Sequence, residues 1–589
     1  MRESRVSIVH KATRAVTELS LTGRIVFFIF VGLFIGSVLW MLYDINVAFL
    51  VTVPKPGGTL TDGVVGEPRF INPVLASSDP DRDISALVYS GLTRFDIQSQ
   101  KLIPDLAQSW SVSPDGLTYT FILKNNITFQ DGTPVTAADV VFTVQTIQNP
   151  DIRSPLAATW AGITVQEINQ QTVQFILPAP YKPFIENTTL GILPKHLWQN
   201  VDPAQFPFSP LESNPIGSGP YRISAISKDK TGVPITYELS PFTHFTLGLG
   251  LLGKIDFRFY KTQDAVLSAL ETGEITTTSG ISPADAPGLT ADGFSLQSSP
   301  LPRVFGIFFN QSEKQGLADP AVRRALDVAT DRQTLVTSVF GPFAKAIAGP
   351  VPALFLANAF GPGIASSSVP SASSTLADSL LDKAGWIRNT SGIREKKIAG
   401  ASTTLAFSIS TSDAPELVAV ANALAGEWRR IGVDVSVKVF GDGLEDNVIR
   451  PRNYDALLFG QVVGRDFDLY PFWASTQAAD PGLNIASYAN PSADTLLVQM
   501  RTTASTTIEA ADYQQFSALL THDEPAIFIY EPDLISVVPP TLAGEAAGSV
   551  SAESERFSDA YQWYLQTERV WRIFTRTNES GQNRLADRI

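Results

Sequence analysis

Cysteine is missing from all 589 residues. Its absence excludes disulfides, thiolate metal ligands, cysteine nucleophiles and a lipid anchor built on a terminal cysteine. Histidine is nearly as scarce. The four present, His10, His196, His244 and His522, stand singly, without an HExxH pair, a carboxylate-spaced cluster or a G-x-S-x-G elbow. A nucleophile without a positioned base does little, so no enzyme activity, no metal and no cofactor are expected. Positive charge is also short, with 44 Lys and Arg against 58 Asp and Glu and a formal net charge of -14. A surface that tracks phosphates needs a basic stripe, which argues against nucleic acid as a partner. The Gly-rich loop NPIGSGPY at 214–221 is followed by no GK[ST], and so is not read as a phosphate cradle.

Charge is absent altogether from Ile25 to Tyr43, IVFFIFVGLFIGSVLWMLY. Roughly 20 such residues cross a bilayer as a helix. Arg2, Arg5, Lys11, Arg14 and Arg24 precede the run and Asp44 is the first charge after it. The positive-inside bias then keeps the amino terminus in the cytoplasm and exports the rest, with Trp40 and Tyr43 at the outer interface. LWMLYDINV shows no small-x-small cleavage site, so an uncleaved signal anchor is preferred to a cleaved signal peptide.

What is present elsewhere reads as globular. Hydrophobic residues make up 44% and charged ones 17%, and the length suits about three or four domains. Within 107–142, AQSWSVSPDGLTYTFILKNNITFQDGTPVTAADVVF, Leu117, Tyr119, Phe121 and Leu123 alternate with polar or outward positions. That is the period of a half-buried strand. Pro114-Asp115-Gly116 and Asp131-Gly132 are turns. Thr136, with Asp139 three residues on, predicts a helix cap ahead of Val140, Val141, Val144 and Ile147. In PAVRRALDVATDR the apolar positions Val322, Ala325, Leu326 and Ala329 predict an inward helix face, with Arg323 and Arg324 turned to solvent.

The run SWSVSPDGLTYTFILKNNITFQDGTPVTAADVVFT, with NPIGSGPY, AVLSALETGEI at 265–275 and ADPAVRRALDVATDRQTLV at 318–336, resembles the signature of the family 5 extracytoplasmic solute-binding proteins. These are receptors of oligopeptide, dipeptide and nickel ABC importers. The resemblance implies an α/β, two-lobed periplasmic-binding-protein-like fold with an extra inserted domain, preceded here by one N-terminal transmembrane helix. The expected layout is a basic leader (1–24), the transmembrane anchor (25–43), a linker (44–58), domain I in three parts (59–97, 207–300, 535–575), inserted domain II (98–206), domain III (301–534) and a polar tail (576–589).

In peptide-binding members an acidic residue after the strand corresponding to YDALLFGQVV pairs with the ligand's amino terminus. An ammonium buried in a cleft needs such a carboxylate. The resemblance points to Asp466 and Asp468, with Phe472 and Trp473 as walls. It also points to Ser77 and Ser78, after the GEPRFINP turn, and to Trp160, packed on a ligand side chain. The chain departs from the pattern at Gln461, where many members have tryptophan, and at the acidic position itself, with which the resemblance aligns either Gly464 or Arg465. Arg465 would favour an anionic group. The expected protein is a monomer, tethered by a single-pass helix, with its bulk extracytoplasmic. Its partners would be an oligopeptide or other small solute and the permease and ATPase of an ABC transporter. A sugar-binding protein of the same fold, or an anchored sensor or chaperone-like binder without a transporter, are the alternatives.

Overall fold

The computed structural model describes residues 16–361, 364, 368–398, 400–466, 468–503, 505–577 and 583–585. The chain divides into two units, residues 58–563 and the two terminal segments 1–57 and 564–589.

In the terminal unit a long helix, Leu21–Phe49, opens at Ser20, whose Oγ accepts the Gly23 amide at 3.3 Å. The helix is apolar on every side and none of its side chains is buried, which suits a hydrocarbon surround. It extends beyond the predicted 25–43 at both ends. The expected linker is therefore its last turns plus a strand, Leu50–Lys55. That strand pairs antiparallel with Gln566–Trp571, placing Leu50 opposite Trp571 and Lys55 opposite Gln566. The segment expected to help close domain I thus pairs with the exit of the helix instead. Arg2, Arg5, Lys11 and Arg14 of the basic leader lie outside the described residues, as does most of the polar tail.

The unit 58–563 is built on three main sheets, two of them halves of one twelve-stranded sheet, with a three-stranded and a two-stranded sheet in addition. A four-stranded antiparallel sheet holds the predicted hairpin: Ala107–Val112 pairs with Thr118–Leu123, and Thr172–Ile176 and Thr164–Asn169 complete it. Tyr119, Phe121 and Leu123 are buried as the alternation predicts. Helix Ala137–Gln148 follows, and Asp139 Oδ2 accepts both the amide and the hydroxyl of Thr136 at 2.8 Å. The other two sheets share one long strand, Ala526–Val537. Its first half pairs with Arg303–Phe309, beyond which lie Ala456–Val462, Ala406–Ser412 and Asp434–Phe440. Its second half pairs with Leu296–Pro300 and leads through Thr277–Ser279 to Thr59–Val65, Lys254–Tyr260, Pro234–Pro241 and Tyr221–Lys228. The sequence RVFGIFF buries both faces, Ile307 and Phe309 in one core and Val304 and Phe308 in the other, as a central strand must.

Two local features need their residues. The loop NPIGSGPY runs so close to the end of helix Asp79–Val88 that a Cβ on Gly217 or Gly219 would collide with the backbone of Leu87 and Val88. Arg323, predicted to be outward, is buried. Its guanidinium donates to the carbonyls of Leu317, Ala318, Asp523 and Glu524, so it satisfies the end of helix Thr506–Asp523. Helical spacing alone gave no sign of that neighbour. Arg324 is the outward member, paired with Glu524 at 2.7 Å.

Three distant segments meet at Arg556. Its guanidinium donates to Asp62 at 2.8 and 3.3 Å and to Asp83 at 2.9 Å, and all three side chains are buried. Burial pushes both acids up, and Arg556 pulls them back. Removing one partner of such a group strands the others. Arg556→Met is expected to cost about 3–5 kcal/mol, read as a lowered denaturation midpoint of the full chain in detergent. An unchanged midpoint would contradict the assignment.

Candidate functional site

The strand Ala456–Val462 is followed by a turn whose Gly464 adopts a positive φ of 68°. This turn carries Arg465 into contact with three segments distant in sequence. Arg465 Nη1 donates to Glu186 at 3.3 Å, Nη2 donates to Glu555, and the guanidinium carbon lies 3.3 Å from the centre of the Phe95 ring. Glu186 comes from the short helix Lys182–Thr189, next to the four-stranded sheet. Phe95 and Glu555 come from Thr93–Asp96 and Glu553–Gln562. A planar cation is suited to this, since it pairs with carboxylates at its edge and stacks on a ring with its face.

Asp466 sits beside it with Oδ2 buried and without a hydrogen-bond partner. Burial raises its carboxyl to about 6, with Lys182 opposing the rise. Glu186 is raised to about 7 by burial and by Asp466, against the pull of Arg465. Lys182 itself pairs with Glu509 at 2.5 Å. Asp468 is fully engaged: Oδ2 accepts from Arg501 at 2.7 Å and Oδ1 from the Tyr470 amide at 3.3 Å. Arg501 in turn lies between the rings of Tyr181 and Tyr470, 4.9 and 4.6 Å away. Gln461, at the end of the strand, is buried with both amide atoms unpaired.

Asp466, Asp468, Lys182, Arg501 and Glu509 enclose a cavity of only about 10 Å³, room for about one water. Larger spaces flank it. One of about 310 Å³ is lined by Arg82, Tyr89, Arg94, Phe95 and Glu555. Another, of about 420 Å³, is lined by Ile163, Pro180, Tyr181, Tyr470 and Arg501.

The other predicted site residues separate. Trp160 is buried between the rings of Phe175 and Phe184, and Trp473 is buried against Phe308, Phe516 and Phe528. Both are core and leave no face for a ligand, a correction to the sequence reading. Phe472 is half-buried against the same core as Trp473. Ser78 caps helix Asp79–Val88, its Oγ accepting from Asp81 at 3.3 Å, so its hydroxyl is already used. Ser77 lines a separate groove of about 760 Å³ with Ile152 and Arg153. Glu186, Glu555 and Phe95 escaped the sequence reading because they lie 90 or more residues from Arg465. The one available signal was Lys182 and Glu186, four apart in YKPFIEN.

The profile of the bacterial extracellular solute-binding proteins, family 5, matches residues 101–491. The chain belongs to this family. Oligopeptide-binding protein AppA from Bacillus subtilis is 26% identical over 509 residues, covering 83% of this chain and 89% of the relative. Among solved structures, the ABC transporter substrate-binding protein CtaP from Listeria monocytogenes superimposes with a TM-score of 0.73 at 25% identity, over 87% of this chain and all of that one. NikZ from Campylobacter jejuni, in complex with Ni(L-His), does so with a TM-score of 0.69 at 26% identity, over 86% and 99%. The solute-binding family thus has its two-lobed α/β fold here.

The burial of Glu186, with Asp466 nearby, makes stability depend on pH. Glu186 rises from an ordinary 4.5 to about 7, so the folded protein holds a proton that the unfolded carboxyl has released across that window. Stability from this group therefore falls as pH rises from about 4.5 to about 7, then levels off. Glu186→Gln should flatten the decline in melting temperature between those values. An unchanged slope would show that Glu186 does not cause it.

Proposed function

We propose that this protein captures oligopeptides between its lobes and hands them to an ABC permease while anchored outside the cytoplasmic membrane by the helix Leu21–Phe49. The observation that carries the reading is the buried, unpartnered carboxyl oxygen of Asp466 at the meeting of the lobes. A carboxylate held there is a receptor for a peptide's ammonium, because the ammonium supplies the hydrogen bonds and the charge the site lacks. Membership of the family, and a relative named for oligopeptide binding, support a peptide over a sugar. Asp468 takes the lesser part, since Arg501 already holds it.

Opening is needed for entry, because the space beside Asp466 admits about one water. The hinge we assign is the pair of crossings at Leu301-Pro302 and Glu531-Pro532-Asp533, where the chain passes between the two halves of the large sheet. Rotation there would break the contacts of Arg465 and Lys182 and reform them around the ligand. A second reading, a small anionic solute, is favoured by Arg465, for which such a group would replace Glu186 or Glu555.

Calorimetric titration of the full chain in detergent with di- to hexapeptides tests the reading. Saturable binding is expected. Asp466→Asn should weaken peptides with free amino termini about 30-fold or more, from the 2–5 kcal/mol of a buried charge pair, and acetylated ones much less. Equal loss for both would remove Asp466 from the role, and binding of anionic solutes alone would favour the second reading.

A further inference from the structure

We infer that Trp571–Phe574, near the carboxyl end, forms a second membrane contact, seated in the phospholipid headgroup layer beside the exit of the apolar helix. The inference rests on the anchor reading given above.

Strand Leu50–Lys55 leads away from the helix, and Gln566–Trp571 runs antiparallel to it. The carboxyl-terminal segment therefore travels back toward the helix end. It arrives with Trp571 opposite Leu50, its ring stacked on Phe49 at 6.0 Å and 10°. A short turn, Arg572–Phe574, follows at once. Trp571, Ile573 and Phe574 are 40%, 75% and 57% exposed. Three large apolar side chains within four residues are poorly matched to water, and the exposed Arg569 and Arg572 stand beside them. The same set suits a lipid interface, where aromatic rings sit at headgroup depth and arginines meet phosphates.

The depth agrees. Phe49 lies six residues beyond Tyr43, the end of the charge-free run, or about 9 Å along a helix axis at about 1.5 Å per residue. The headgroup layer adds about 5–8 Å to each side of the roughly 30 Å hydrocarbon core. A helix tilted by about 20° comes slightly nearer. Trp571, beside Phe49, thus stands at the outer edge of that layer, and the chain is still heading toward the helix when it enters the turn. The occupant is the bilayer that holds the helix, because this patch is continuous with the helix surface that the bilayer covers.

The lack of cysteine makes single labels clean. The full chain would carry an environment-sensitive fluorophore at Ile573→Cys or, independently, at Phe574→Cys. It would be reconstituted in vesicles of phosphatidylcholine with a minority of phosphatidylglycerol, with Leu33→Cys and Val439→Cys as references. Quenchers are spin-labelled lipids carrying the label near the headgroup or deep in the acyl chain. The expected result is a blue shift at 573 and 574 with loss of intensity to the shallow quencher. Position 33 should answer to the deep quencher and 439 to neither. If 33 is quenched while 573 and 574 remain in water, the second contact is wrong and the anchor stands. If 33 also remains in water, the anchor reading fails and the contact with it. A blue shift at 573 and 574 without quenching by either lipid would mean that protein, such as a second copy of the chain, covers the patch, which also overturns the inference.

Discussion

The arrangement of the binding unit turns on one guanidinium. Arg465 holds Glu186 and Glu555 and lies against Phe95, so the loop after strand Ala456–Val462 is fastened to three segments distant in sequence by a single side chain. Each carboxylate there is partly out of water and needs a counterion. Lys182 with Glu509, and Arg501 between Tyr181 and Tyr470, extend the same polar seam. The seam buries Asp466 Oδ2 and leaves it without a hydrogen-bond partner.

By contrast, the lobes themselves are fixed by packing. The strand Ala526–Val537 serves two sheets in turn, and apolar side chains fill both faces around Arg303–Phe309. Arg556 locks Asp62, on the strand Thr59–Val65, to Asp83 of helix Asp79–Val88. The proposed hinge lies where the strand Ala526–Val537 changes pairing partner, near Pro300 and Asp533.

Much of the fold was legible because its signals are local. The alternation from Leu117 to Leu123, the Thr136–Asp139 cap and the charge-free run each act within a few residues. The candidate site was legible only in part. Asp466 and Arg465 stand in a recognisable loop, but their partners come from segments far off in sequence, which no periodicity announces. Trp160 and Trp473 show the converse problem: a large aromatic looks the same in sequence whether it lines a cleft or fills a core. Arg323 was misplaced for a related reason. A helix position beside the apolar face faces solvent only when no second helix end lies over it.

The terminal unit had a different fate. Its helix was plain from composition, yet the pairing of Leu50–Lys55 with Gln566–Trp571 joins the two extremes of the chain, and neither strand alternates strongly enough to reveal its partner.

The central claim is that the lobes shut around a peptide. Spin labels at Ile168→Cys and Val439→Cys, both exposed and on different sheets, would report the distance between lobes by pulsed electron resonance. The account predicts a broad distribution without ligand that collapses to one shorter distance when peptide is added. The same distribution with and without saturating peptide would contradict it.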